Sequence, residues 1–186
     1  VDFAIAQDAR SDFTVIVCGG VDDEGFLHIV DVLRERLDSK AIVDAIFAFA
    51  TRYDPDIVTV EAGAIEKALG PYIKAEMFKP DKPFLPLNPL VPTKDKESRA
   101  ASIQARMRAG GVKFNKETDW YPELESEMRQ FPRAVHDDQV DAMAWLGLTL
   151  NKMISARTSQ EVLEEEYDKE FKLTMMPQGR SRMTGY

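Results

Sequence analysis

The spacing of apolar residues changes character at Ser39, and that change limits the chain to an architecture mixing strands with helices. Before it, residues 1–6 alternate, with Val1, Phe3 and Ile5 on one side and Asp2, Ala4 and Ala6 on the other, the period of two expected of a half-buried strand. Residues 13–18 are continuously β-prone, Gly19-Gly20 with Asp22-Asp23-Glu24-Gly25 is expected to supply a turn, and residues 26–33 read as a further strand. Connections this short join antiparallel neighbours, so two hairpins are the economical arrangement. From Ser39, the expected N-cap, Ile42, Val43, Ile46, Phe47, Ala50 and Tyr53 recur at helical spacing until Asp54-Pro55.

The remainder alternates between the two periods. Residues 56–61 (Asp-Ile-Val-Thr-Val-Glu) have the composition of a buried central strand. Residues 63–78 are expected to be helical with an interruption at Gly70-Pro71, and residues 84–87, flanked by prolines, to form a brief or edge strand. A helix over 94–109 should end at Gly110-Gly111, followed by an extended piece at 112–114. A small helix begins at Tyr121-Pro122 and runs to Arg129, and a long one spans 137–153, with Val140, Met143, Ala144, Gly147, Leu148 and Leu150 inward. This order predicts an α/β chain with a mixed sheet. The expected division is a folded domain over 1–156 and, over 157–186, a charged helix ending in a flexible tail. The start within an apparent strand, with neither Met nor a basic leader, points to a piece of a longer protein without a signal peptide.

Acidic residues are the groups with chemistry to offer. Asp2 lies in the first strand, Glu61 closes a later one, and Asp137, Asp138 and Asp141 open the last long helix, where Asp138 and Asp141 share a face. Each has an ordinary explanation: an exposed terminal Asp, a strand ending in solvent, and helix caps favoured by the dipole. Together they are the donor set for hard divalent cations, which prefer carboxylate oxygens. Paired ions about 3.5–4 Å apart can activate water and neutralise a phosphodiester. Without ions such a cluster repels itself and raises at least one pKa, so it is expected to be stable near neutral pH mainly when loaded. His136 reads as a turn or capping residue, and His28 carries no functional expectation.

Cys18, the only cysteine, excludes an internal disulfide and a cysteine-based zinc cluster. No apolar run reaches the roughly 18 residues of a membrane span. A net charge of −8 argues against a nucleic-acid partner until its distribution is considered, because Arg99, Arg106, Arg108, Lys113 and Lys116 fall in a stretch, 98–116, without acidic residues. Arg99, Arg106 and Lys113, with Lys94 and Lys96 before them, are candidate phosphate contacts; the alternative is a solvated basic face.

The segment 131–142 (Phe-Pro-Arg-Ala-Val-His-Asp-Asp-Gln-Val-Asp-Ala) resembles the terminal nuclease motif of viral, tailed-bacteriophage terminase large subunits. Lys96-Glu97-Ser98-Arg99-Ala100 within residues 94–100 is similar to that family's Lys-x-x-Arg-Ala segment, and Gly110-Gly111-Val112-Lys113-Phe114 to its Gly-x-Val element. Trp120, Leu124 and Glu127, leading to Phe131-Pro132, complete a similarity covering roughly residues 1–150. The resemblance implies an RNase H-like fold: a mixed central sheet whose first three strands are antiparallel, with helices on both faces. It implies an endonuclease that cuts double-stranded DNA concatemers during genome packaging, using two Mg2+ or Mn2+ ions. The ligands it implies are Asp2, Glu61 and Asp138, with Asp141 or Asp137 in addition; Asp12 occupies a further family position but reads as a hairpin-turn residue. Implied partners are the ATPase domain of the full-length protein, the portal and the small terminase subunit, in the cytoplasm of the infected host and with no membrane. No Gly-x-x-x-x-Gly-Lys-Ser/Thr loop occurs, so ATP hydrolysis is not expected of this chain. Rival readings are a Holliday-junction-resolvase-like nuclease, which shares a final Asp-x-x-Asp, and a non-catalytic docking module of a packaging motor.

Overall fold

A computed structural model describes residues 13–63, 69–91, 95–133 and 136–155. The expected first strand with Asp2, the neighbouring Asp12, Lys94 and the expected C-terminal helix and tail lie outside these residues. The chain divides into compact units Val1–Asn151 and Lys152–Tyr186, and every buried apolar residue among those described falls in the first.

Strands β1 (Thr14–Val21) and β2 (Leu27–Glu35) form an antiparallel hairpin. Gly19 and Gly20 do not make its turn, as the sequence led one to expect; they lie within β1, where the register shifts between Cys18 and Gly19. The turn is made by Asp22, whose Oδ1 accepts from the N–H groups of Glu24 (3.1 Å) and Phe26 (2.8 Å), and by Gly25 at φ +85°. A Cβ at Gly19 would stand 2.9 Å from the end of the Leu146 side chain, which would have to shift to admit it.

Helix α1 (Ser39–Tyr53) begins one residue earlier in its capping than expected: Asp38, not Ser39, is the N-cap, accepting from Ala41 N–H at 2.8 Å. Strand β3 (Val58–Glu61) follows. Helix α2 (Gly70–Met77) starts at the Gly-Pro pair that was expected to interrupt it. Pro71 fits there because the first turn needs no N–H from it. Strand β4 (Leu87–Leu90) lies three residues beyond the expected position and pairs in parallel with β3, Val58 opposite Leu87 and Glu61 opposite Leu90. Pro86 takes part as an acceptor, receiving Val58 N–H at 2.9 Å, while Phe84 is left exposed. Helix α3 (Lys96–Arg108), capped by Asp95, leads through Gly110 at φ +73° to β5 (Val112–Phe114), which runs parallel to β2. Helices α4 (Tyr121–Gln130) and α5 (Asp138–Ser155) complete the described elements.

Alternation along the strands creates two cores. Ile16, Val58 and Val60 join the apolar face of α1 with Ile73 of α2. Val15, Leu27 and Ile29 pack instead with Ile103 of α3, Leu124 of α4 and Ala142, Met143 and Leu150 of α5. Strands thus carry helices on both faces. Helix α5 is buried on nearly every side, including Asp141, Trp145 and Thr149, the condition of a central helix rather than an amphipathic surface one.

Gly147 permits that position. A Cβ there would lie 2.7 Å from Ser102 Oγ, 2.9 Å from Ile103 Cβ and 3.1 Å from Ile103 N, so α3 meets α5 backbone to backbone. Replacing a helical Gly by Ala gains about 1 kcal/mol of propensity, but overpacking a core costs about 1–3 kcal/mol. The obstructing atoms belong partly to backbone, so the cost should win. Gly147→Ala is expected to lower the urea midpoint by an amount equivalent to about 1 kcal/mol; an unchanged or raised midpoint would refute the close crossing.

Candidate active site

The site is built around the first turn of α5. Asp141 N–H donates to the Asp137 carbonyl at 2.9 Å, which makes Asp137 the backbone N-cap. The Asp137 side chain does something else: its Oδ1 accepts from Lys96 Nζ at 2.7 Å. Lys96 Nζ also lies 3.1 Å from Asp141 Oδ2, and Arg99 Nη2 donates to Asp141 Oδ1 at 3.0 Å. Lys96 and Arg99 are three apart in the first turn of α3, so both reach the same side. Burial draws the Lys96 ammonium downward, but its hydrogen bonds to Asp137 and Asp141 outweigh that and hold its pKa above the ordinary lysine value. Two of the clustered carboxylates therefore have resident cations.

This geometry also revises the expected basic face. Arg99 is only 9% exposed and its guanidinium lies 5.2 Å over the Trp145 ring. Arg99, Ala100 and Ile103 form the buried side of α3, which is why Arg99 turns toward α5 and not toward solvent. Arg106 and Lys113 instead flank the β1–β2 turn: Arg106 Nη1 donates to Gly25 O at 2.8 Å, and Lys113 Nζ lies 4.3 Å over the Phe26 ring.

Glu61 is joined to this region through its strand. Val58 and Val60 enter the α1 core, so Thr59 and Glu61 take the opposite face of β3. Thr59 Oγ1 and Thr149 Oγ1 are 2.6 Å apart in the buried interior. Thr149 donates its proton to the Trp145 carbonyl at 2.8 Å, so the Thr59 hydroxyl supplies the proton between them. Thr149 follows Asp138 by about three helical turns and shares its side of α5. Glu61 and Asp138 thus belong to faces of β3 and α5 that are bonded to each other. Among the described residues no three His, Cys, Asp or Glu side chains are grouped closely enough to hold an ion; Asp2 is not among them.

Sequence reasoning gave no role to Glu127. It is 6% exposed, and its Oε1 accepts from the N–H groups of Gln139 (2.7 Å) and Val140 (3.0 Å) while Oε2 accepts from Gln139 Nε2 at 2.9 Å. Burial pushes its carboxyl above the ordinary glutamate range, against the opposing pull of those hydrogen bonds. Arg34 stands behind it, with Nε 3.9 Å from Glu127 Oε2, Nη1 bonded to Glu123 at 2.6 Å and its guanidinium 3.4 Å over the Phe13 ring. His136 packs edge-on against the same ring at 5.4 Å. The available clue was spacing: Tyr121, Leu124 and Glu127 recur every three residues and form the buried side of α4.

Asp141 and Arg99 are both nearly buried, with side chains 5% and 11% exposed, whereas Lys96 is half exposed. Removing one partner of a buried pair costs about 3–5 kcal/mol, and an exposed pair contributes about 1 kcal/mol or less. Arg99→Met is therefore expected to destabilise by about 3 kcal/mol and Lys96→Met by about 1 kcal/mol in chemical denaturation. Equal effects would contradict the division of labour between the two cations.

No curated protein matches the chain. Among solved structures it is similar to the large terminase nuclease from thermophilic phage G20c, with 18% identity, a TM-score of 0.56, and coverage of 77% of this chain and 76% of that one. That likeness shows a shared fold. The family model described as the terminase RNaseH-like domain matches residues 1–149, which contain every described element but the end of α5. The chain belongs to the terminase RNaseH-like domain family.

Proposed function

We propose that this chain is the nuclease domain of a DNA-packaging terminase large subunit, a divalent-metal endonuclease acting on double-stranded DNA. The observation that carries this reading is the Thr59–Thr149 bond, which ties the Glu61 face of β3 to the Asp138 face of α5. Family membership and the resemblance to a phage terminase nuclease support it.

The donor set fits Mg2+ or Mn2+, since every group in it is a carboxylate. Asp2, Glu61 and Asp138 are the proposed ligands. Asp141 and Asp137 already accept from Lys96 and Arg99, and we assign them to holding that cationic pair rather than to first coordination. Paired ions held there would activate water and offset charge on the scissile phosphate. The chain's own residues fix the ligands: the Thr pair sets β3 against α5, and α5 presents Asp138 at its first position. Arg106 and Lys113 are the proposed phosphate contacts, giving binding that depends on backbone charge and not base sequence. Within the full-length protein, we place the domain beside an ATPase motor, with the portal and small subunit as neighbours, in the infected cell.

Supercoiled plasmid should be nicked and linearised in Mn2+ or Mg2+ and spared with chelator. Asp138→Asn and Asp2→Asn should abolish cleavage while leaving the far-ultraviolet circular dichroism unchanged; either variant cutting normally would reject the ligand assignment. For the phosphate contacts, the double change Arg106→Ala with Lys113→Ala should weaken DNA binding and flatten the log–log salt dependence by about 2, roughly one per lost contact. A salt slope identical to that of the unchanged protein would remove those residues from the interface.

A further inference from the structure

We infer that Glu127 is a positioning residue for Asp138: its carboxylate, supplied by α4, takes over the side-chain cap of α5 and so fixes where the first residue of that helix stands. The inference rests on the proposed nuclease reading for its consequence in activity, but its geometric content stands apart from that reading.

A helix start leaves its first N–H groups without intrahelical acceptors. In most helices the N-cap side chain supplies one acceptor. Here the N-cap is Asp137, and its Oδ1 is bonded to Lys96. Water is a poor substitute, because Asp138, Gln139, Val140 and Asp141 are all buried. Glu127 Oε1 fills the role, receiving both the Gln139 and Val140 N–H groups. These are the two residues directly after Asp138, so their attachment to α4 sets the position of the Asp138 backbone. A negative group at this end also complements the helix dipole. The second oxygen holds the Gln139 side chain at 2.9 Å, so the carboxylate is gripped at both oxygens and cannot rotate away without breaking a bond. A glutamate with merely structural duties could have been placed anywhere on the buried side of α4; this one reaches the turn that carries the site.

The division of labour gives a specific consequence. Asp137 serves Lys96 because Glu127 serves the backbone. Loss of the Glu127 acceptor would leave two buried N–H groups seeking the nearest carboxylate, and Asp137 and Asp138 are the nearest in sequence. The local geometry of Asp138 would then change without the fold being lost.

The test uses the full 186-residue chain with Glu127→Met, which preserves bulk and removes the acceptor, and Glu127→Gln, which keeps one. Ile42→Val, in the α1 core, serves as a destabilised control remote from α5. In plasmid cleavage, Glu127→Met should lower kcat at least tenfold with KM for DNA within twofold, and should raise the half-maximal Mn2+ concentration several-fold. Glu127→Gln should return both to within about threefold of the unchanged protein, and Ile42→Val should lower Tm without moving the Mn2+ midpoint. A folded Glu127→Met protein with unaltered kcat and Mn2+ midpoint overturns the inference, as does equal damage by Met and Gln. Amide hydrogen exchange at Gln139 and Val140 provides a measurement independent of cleavage. Both amides should be protected in the unchanged protein and exchange at least tenfold faster in Glu127→Met. Absence of protection in the unchanged protein overturns the inference even if Glu127→Met does not fold. If the unchanged protein fails to cut DNA in any divalent metal, the nuclease reading fails alone, and the exchange result still decides the cap.

Discussion

Burying the beginning of α5 imposes the central constraint on this domain. A helix surrounded by protein from its first residue cannot leave its opening amides to water, and an unmade hydrogen bond there costs about 1–3 kcal/mol per group. The structure meets the demand with Glu127, whose own burial must then be tolerated, and Arg34 brings positive charge behind it. Arg34 in turn lies on Phe13, the residue just before β1. The same turn of helix is thereby tied to α4 and to the β1–β2 hairpin.

Three cations are distributed around this turn in different environments. Arg99 is nearly enclosed and stacks on Trp145, Lys96 reaches across two carboxylates from a half-exposed position, and Arg34 stands near Glu127. A planar guanidinium suits the enclosed positions because it is weakly hydrated and can pack on aromatic faces. The more mobile ammonium takes the position open to solvent. Acidic residues at α5 are consequently not equivalent. Asp141 is committed on both oxygens, Asp137 on one, and Asp138 stands between them at the helix start.

The sequence made element type and order legible because those depend on local periodicity. The apolar face of α1, the position of α4 and the long α5 all follow from spacing, and the resemblance carried the fold class beyond that. Boundaries were less legible where side-chain chemistry competed with pattern. Asp38 captured the cap from Ser39, and Asp22 with Gly25 made alone the turn that Gly19-Gly20 was expected to share. Pro71 proved to open a helix instead of breaking one. For the candidate site, acidic residues were recognisable as a set, but their partners were not. Arg99 read as an outward cation because charge alone says nothing about which side of α3 is covered; the burial of Ala100 and Ile103 decides that. Glu127 stood out only as part of the resemblance, because Glu123 and Glu125 have the same chemistry and lack its role.

The hydroxyl contact between Thr59 and Thr149 has a mechanical meaning. Aliphatic surfaces can slide past one another with little change in energy, whereas a short directional bond in a dry interior fixes both distance and register. Strand β3 and helix α5 are pinned at Thr59, two residues before Glu61, and at Thr149, eleven residues after Asp138, so the two carboxylate-bearing elements are held to one another. A displacement of either element is therefore passed on to the other through that one bond.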